Sequence, residues 1–270
     1  MAPKNKTKVI AADYLSEAEL NTNTYVCGVP GPGVWLHVQF LPVSLFSLKM
    51  SSATSGVGRT LLVPTPYAVK MALLDAGLRS RQLDEQTADK FVRALSGADL
   101  RIRVPDQAVV THTIVKIRQE TKPDKKKPNL PPYGPNIAYR EFVYFAGALG
   151  FCLDLRTIDS ATAEMVVRIS PHIFYLGKRG GFFQYLGTHR TNELDQRCSV
   201  PVAAMKTVPT AAHVAILDDF GPEANFDAMN SFSPTPIKRD RQRKFVSTVV
   251  PLGRSFVGPG FSHYEAPIDT

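Results

Sequence analysis

Apolar and polar positions alternate at two different periods along the chain, and the changes of period mark its elements. Val34, Leu36, Val38 and Phe40 alternate with Trp35, His37 and Gln39, the period of a half-buried strand. Residues 1–32 before it end in CGVPGPG, a turn-rich lead-in, and Ser44–Arg59 after it is a polar, glycine-bearing loop. In LVPTPYAVKMALLDAG (62–77) the period lengthens, placing Val69, Ala72, Leu73 and Ala76 on one helical face. Thr65 is placed to cap that helix, Pro66 to open it and Gly77 to end it in a left-handed stop. A second helix is predicted from Asp84, with Ala88, Phe91, Val92 and Leu95 inward and Gly97 at its end.

Near residue 99 the period returns to two, predicting strands over 99–104 and 108–120. On the second, Val110, His112, Ile114, Lys116 and Arg118 share one side, with Thr111, Thr113, Val115 and Ile117 on the other. A face mixing apolar residues with histidine, lysine and arginine suits an open sheet surface that meets a ligand. Residues 121–138 hold five prolines and four lysines, a composition for neither helix nor central strand. Tyr139–Leu155 then resumes as a long strand, so the whole reads as a hairpin extended into an arm. A third helix is expected from about Asp159 to before Pro171, followed by the glycine-rich IFYLGKRGGFFQYLG (173–187). Short β segments over 200–217 and 245–257 surround an acidic patch at Asp218, Asp219, Glu223 and Asp227.

This order fits an α+β sandwich of the ferredoxin-like kind, an antiparallel sheet with helices on one face. The other face is expected to lie open, as in RNA-recognition modules. The expected division is a lead-in over 1–32, a ferredoxin-like domain over 33–199 with a thumb at 121–138, and a β-rich extension over 200–270.

Of 270 residues, 44% are hydrophobic and 21% charged, enough apolar material for a sizeable core. No apolar run approaches the ~18 residues of a membrane span, and the N-terminus has no apolar signal core. Cys27, Cys152 and Cys198 form no CxxC pair, which excludes a thiolate zinc site of common spacing and a disulfide framework. A reduced, cytoplasmic protein is the expectation, with no membrane partner. The net charge of +8 is local. Residues 101–130 carry eight basic against three acidic residues, 166–190 four against none, and 238–254 six against one. The remainder is net acidic, so a positive surface opposite an acidic one is expected, suited to a polyanion. Three solvated loops are the alternative.

No Ser-His-Asp arrangement, HExxH motif or Walker loop occurs, and no motif calls for a metal or cofactor. Gly177, Lys178, Arg179, Gly180 and Gly181 form either a tight turn or a loop whose amides and cations hold a phosphate. Tyr175, Phe182, Phe183 and Tyr185 around it are stacking surfaces or core contacts. In the arm, Lys122, Lys125, Lys126 and Lys127 suit phosphates and Tyr133 a base, unless the segment is a plain solvated loop. Lys116 and Arg118 extend the same basic surface. His112, His172 and His189 are structural histidines or acid–base groups for RNA cleavage, and His37 beside Trp35 reads as structural.

Three segments together, VPTPYAVKMALLDAG (63–77), the strand–arm–strand ending in YREFVYF (139–145), and IFYLGKRGGFF (173–183), resemble the fifth CRISPR-associated protein family of the RAMP superfamily. The resemblance covers roughly 34–185 in order, with VVPLGR (249–254) as a closing strand. It implies a non-catalytic subunit of a type I Cascade complex that caps the 5′ handle of CRISPR RNA. Its arm would touch the guide and the backbone subunit. Contacts to the large subunit would bring it to target DNA indirectly, in antiviral defence. One subtype uses this protein as a nuclease with a tyrosine, a lysine and a histidine. His112, Lys116 and Tyr139 are suitable residue types, but no adjacent Lys-His pair occurs. A metal-independent endoribonuclease for precursor CRISPR RNA is therefore the alternative. An enzyme gripping a phosphorylated small molecule with GKRGG is a third reading, and it requires a closed pocket with convergent acid–base groups.

Overall fold

The computed structural model describes residues 33–50, 57–121, 131–205 and 212–267. The expected lead-in over 1–32 lies outside the described residues. The inner layer is a four-stranded antiparallel sheet in the order β3-β6-β1-β7, made of β1 (Trp35–Pro42), β3 (Leu100–Arg103), β6 (Leu149–Asp154) and β7 (Phe183–Thr191). Register places Leu36, Val38 and Phe40 beside Leu153, Phe151 and Leu149, with Leu100 and Ile102 continuing the same face. That face packs against Val69 and Leu73 of α1 (Pro66–Arg79), Phe91 and Leu95 of α2 (Glu85–Ser96), and Val166 and Ile169 of α3 (Ser160–Ile169). Each such side chain stabilises the fold by about 1.5–3 kcal/mol on burial.

The helix starts follow from their caps. The Thr65 hydroxyl accepts the Ala68 amide at 3.1 Å, and Pro66 opens the helix. Asp84 and Thr87 form a reciprocal capping box, and the Asp159 carboxylate accepts the Thr162 amide at 2.7 Å. The expected stop at Gly77 is corrected: α1 runs through it to Arg79, and the left-handed residue is Arg81, with φ 58°. Gly77 serves close packing instead. A Cβ there would stand 2.6 Å from Leu83 Cδ1 and 2.9 Å from Ile169 Cδ1.

The arm is a ribbon in which β4 (Gln107–Glu120) and β5 (Tyr133–Ala146) pair along their full length, from Gln107 opposite Ala146 to Glu120 opposite Tyr133. The excursion expected over 121–138 is therefore shorter, because 133–138 is strand. Pro135 is tolerated there because distal β5 is an edge with β4 as its neighbour among the described residues. The single long strand expected over Tyr139–Leu155 is two. Gly147, at φ 94°, breaks it, and β6 joins the other sheet. β2 (Val57–Gly58), β11 (Gly253–Gly258) and β12 (Phe261–Glu265) complete the arm sheet in the order β11-β12-β4-β5-β2.

A third sheet of β8 (Val200–Pro201), β10 (Arg243–Val250) and β9 (His213–Phe220) packs on α1, and the single-turn α4 (Phe226–Met229) packs on α2. Leu217, Phe220 and Val250 join the same core as β1 and the helices, and β12 pairs with β4. Residues 200–205 and 212–267 thus pack against the rest of the described chain. The joint is polar. Lys70 of α1 is fully buried, its Nζ 2.7 Å from Asp219 Oδ1 and 3.0 Å from the Ala98 carbonyl. Burial pushes the Lys70 ammonium pKa down, and Asp219 pulls it back up.

This joint also corrects the expected separation of charge. Asp218 and Asp219 are buried and held by Arg243, Lys244 and Lys70, and Arg241 pairs with Glu223 at 3.2 Å. Arg243 and Lys244 of the basic run at 238–254 thus meet Asp218 and Asp219 across one ladder, because β9 and β10 are neighbours.

Gly77→Ala should destabilise the protein by about 1–3 kcal/mol in urea unfolding, despite the roughly 1 kcal/mol that alanine's helix propensity would add. Lys70→Met should cost up to about 3–5 kcal/mol by leaving the buried Asp219 with only Lys244, 3.7 Å away, as a cation, and Lys70→Met/Asp219→Leu should be less destabilised than Lys70→Met alone.

Candidate nucleic-acid interface

The glycine-basic loop is held from beneath while its cations face outward. Leu176 is fully buried, and Tyr175 donates to Asp75 of α1 at 3.0 Å. Ser44 Oγ donates to the Gly180 carbonyl at 3.0 Å and accepts the Phe182 amide at 2.6 Å. Gly177 and Gly180 have φ of 83° and 105°, which glycine adopts without strain. Lys178 and Arg179 are exposed between them, flanked by half-exposed Phe174 and Phe182. Arg79 stacks on Phe174 at 4.9 Å. The geometry is that of a tight turn, and it presents two cations beside aromatic faces.

On the arm, register places Lys116 opposite Ile137, Arg118 opposite Pro135 and Glu120 opposite Tyr133, all on one face. Ile114 (73% exposed) and Ile137 (67%) lie on that face, with Tyr133 also exposed. Lys122, Lys125, Lys126 and Lys127 lie outside the described residues. Lys116, Arg118 and Tyr133 are brought together, and so are Lys178 and Arg179. Between the two groups lies the chain from Val43, whose amide donates to Phe182, to Phe46, which bridges Val143 of β5. Lys116 is opposite Ile137, six residues from Val143, so it lies about 20 Å along the ribbon from that bridge.

The outer face of the four-stranded sheet departs from expectation: it is covered in part. Residues 194–199 cross it, with Arg103 paired to Asp195 at 2.6 Å and backbone bonds from Val104 to Arg197 and from Ser199 to Ile102. Beneath them Trp35, Cys152 and Cys198 pack together, the two sulfurs 3.7 Å apart. The hydrogen bond with Cys152 and burial push the Cys198 thiol pKa up, making it an inert thiol. His37 Nδ1 lies 3.1 Å from His189 Nε2, with the rings edge to face. His37 is 5% exposed, and its Nε2 has no partner among the described residues. Burial first, then His189 and Arg103, lower its pKa to about 3. Its structural assignment agrees with this packing.

The three candidate acid–base histidines do not converge. His189 pairs with His37, and His172 lies in the turn after α3, where its carbonyl accepts from Arg79. His112 belongs to a separate network at the base of the arm. His112 Nδ1 is 2.6 Å from the Tyr139 hydroxyl, which donates to Glu141 Oε1 at 3.0 Å, and Glu141 Oε2 accepts the Thr60 amide. His112 Nε2 faces Ser262 Oγ at 3.4 Å. Burial and Glu141 push the Tyr139 phenol pKa up, so it stays protonated at neutral pH. Glu141 and Ser262 had no signal in the sequence, because only pairing of β4, β5 and β12 brings them to His112. Among the described residues, no group of three or more His, Cys, Asp or Glu side chains is placed to hold a metal ion. No helix among them is long and apolar enough to cross a membrane.

No protein-family model matches the chain. Over 215 residues, 78% of this chain and 90% of the other, it is 20% identical to the curated CRISPR-associated protein Cas5 of Archaeoglobus fulgidus. The chain is thus similar in sequence to Cas5 over most of both lengths. Among solved structures, a crystal structure of a CRISPR protein from Archaeoglobus fulgidus is similar, with a TM-score of 0.44 and 13% identity, covering 87% of this chain and 92% of that one. The homology supports a role in a CRISPR system.

The His37 pair makes stability fall toward acid. The unfolded histidine takes up a proton near its ordinary pKa, whereas the folded one resists until about 3. Stability is therefore full above pH 6.5 and is lost as pH falls. His37 alone should account for roughly 2 kcal/mol between pH 7 and pH 5 in urea unfolding, and His37→Phe should flatten that slope.

Proposed function

We propose that the chain is a non-catalytic RNA-binding subunit of a type I Cascade complex that caps the 5′ handle of CRISPR RNA. It would contact the backbone and large subunits and reach target DNA through them. The strand order β3-β6-β1-β7, with helices packed on the inner face, supports a ferredoxin-like RAMP domain carrying a thumb. The observation that carries the reading is the loop from Gly177 to Gly181. It is pinned by Ser44 and Asp75, yet leaves Lys178 and Arg179 exposed beside two aromatic faces. Phosphates would be held by these cations and by Lys116 and Arg118, and bases would stack on Phe182 or Tyr133. This is a cytoplasmic ribonucleoprotein role.

The network of His112, Tyr139 and Glu141 favours a second reading, a metal-independent endoribonuclease. Tyr139 would relay a proton between His112 and Glu141, and His112 would act as the base toward a 2′-hydroxyl. Lys116 lies further out on the same face of β4.

Lys178→Glu/Arg179→Glu should weaken binding of handle RNA and reduce the log–log salt slope by about 1.4, as expected for two lost single-strand phosphate contacts. Unchanged affinity and slope would remove the loop from the interface. Incubation of the protein with repeat RNA in EDTA should leave the RNA intact. A defined product that is lost with His112→Ala would establish the nuclease instead.

A further inference from the structure

A cavity of about 260 Å³ lies between the start of α1, the turn from α2 into β3, and the face of the third sheet. Its middle is apolar, lined by Pro66 and Pro201 with Leu217 and Val246, which are neighbours across the β9–β10 ladder. Its charged groups are two ion pairs, and Ser199 and Thr248 add hydroxyls to the lining. Arg101 grips both oxygens of Asp99, at 2.6 and 2.7 Å. Asp219, fixed by the buried Lys70, faces Lys244 at 3.7 Å.

These features define the occupant. The lining charges cancel, so a free anion entering would meet two carboxylates and a cation would meet Arg101 and Lys244. A neutral, flat group with donors and acceptors along its edge meets apolar walls on its faces and charged hydrogen-bonding groups at its rim. The volume falls below the ~300–1,000 Å³ of pockets for drug-sized ligands and suits one base with its sugar. We propose that this cavity receives a single unstacked nucleobase from a bound RNA strand.

The source is a strand because the cavity and the glycine-basic loop share the first turn of α1. Pro66 lines the cavity, and the Cβ position of Gly177 is 3.4 Å from Ala68 Cβ. A backbone held at Lys178 and Arg179 is thus about one helix diameter, ~10 Å, from the cavity. The inference rests on the RNA-binding reading and adds to it a base-recognition site away from the loop.

The test uses the full chain and the 5′-terminal strand of CRISPR RNA, with copies carrying one abasic site at each position in turn. One position should weaken binding about tenfold, the loss of roughly one base contact. In Val246→Phe, which fills the cavity, the intact strand should bind about tenfold more weakly, and the abasic site at that position should cost nothing further. Should Val246→Phe fail to fold, wild-type protein decides alone. A 4-thiouridine at the sensitive position should crosslink to a peptide that lines the cavity, around Pro66, 97–101, 199–201, 217–219 or 244–248, and a crosslink elsewhere overturns the assignment. Binding of the intact strand with no sensitive position overturns the cavity and leaves the RNA-binding reading standing. Binding of no strand overturns both. A free nucleoside monophosphate bound as tightly as the strand overturns the strand as the source.

Discussion

The Lys70–Asp219 pair is the constraint on which the assembly of this protein turns. A fully buried ammonium is tolerable only with a carboxylate and a carbonyl in place, and these come from β9 and from the end of α2. Satisfying Lys70 therefore brings the C-terminal sheet onto α1 in one register. Seated there, the sheet encloses the cavity between itself and the helix, while its own β9–β10 ladder sets Leu217 beside Val246 and brings Arg243 and Lys244 to Asp218 and Asp219.

Positive charge is consequently divided into two kinds. Cations facing an acidic neighbour across a ladder or turn, such as Arg101, Arg103, Arg241 and Lys244, are held in ion pairs and shape the surface between elements. Lys116, Arg118 and Lys178 form no ion pair among the described residues and project from places that backbone geometry makes rigid, a paired ribbon and a pinned loop. Rigid presentation lowers the ordering cost of binding, which favours the second kind as contacts for a polyanion.

The polar pairs elsewhere follow one rule, that strand pairing unites residues distant in sequence. His37 meets His189 across the β1–β7 ladder, and Tyr139 and Glu141 meet His112 across β4–β5. Homology to Cas5 gives these sites a setting, while their chemistry rests on contacts made by folding.

Much of the architecture was legible locally. Thr65-Pro66, Asp84 and Asp159 announce helices because a cap and its first turn lie within a few residues, and the two-residue period from Ala108 to Arg118 exposes the mixed face of the arm. Gly77 was misread because its need for space comes from Leu83 and Ile169, beyond the reach of local pattern. The break at Gly147 was hidden because apolar residues continue on both sides of it into different sheets. The sequence by itself determined the elements, the arm and the basic loop, since periodicity, capping and turn chemistry act over short spans. Which charges are cancelled, which sheet face is covered, and where a cavity forms were decided by tertiary structure alone, because electrostatics and burial depend on neighbours that only folding supplies.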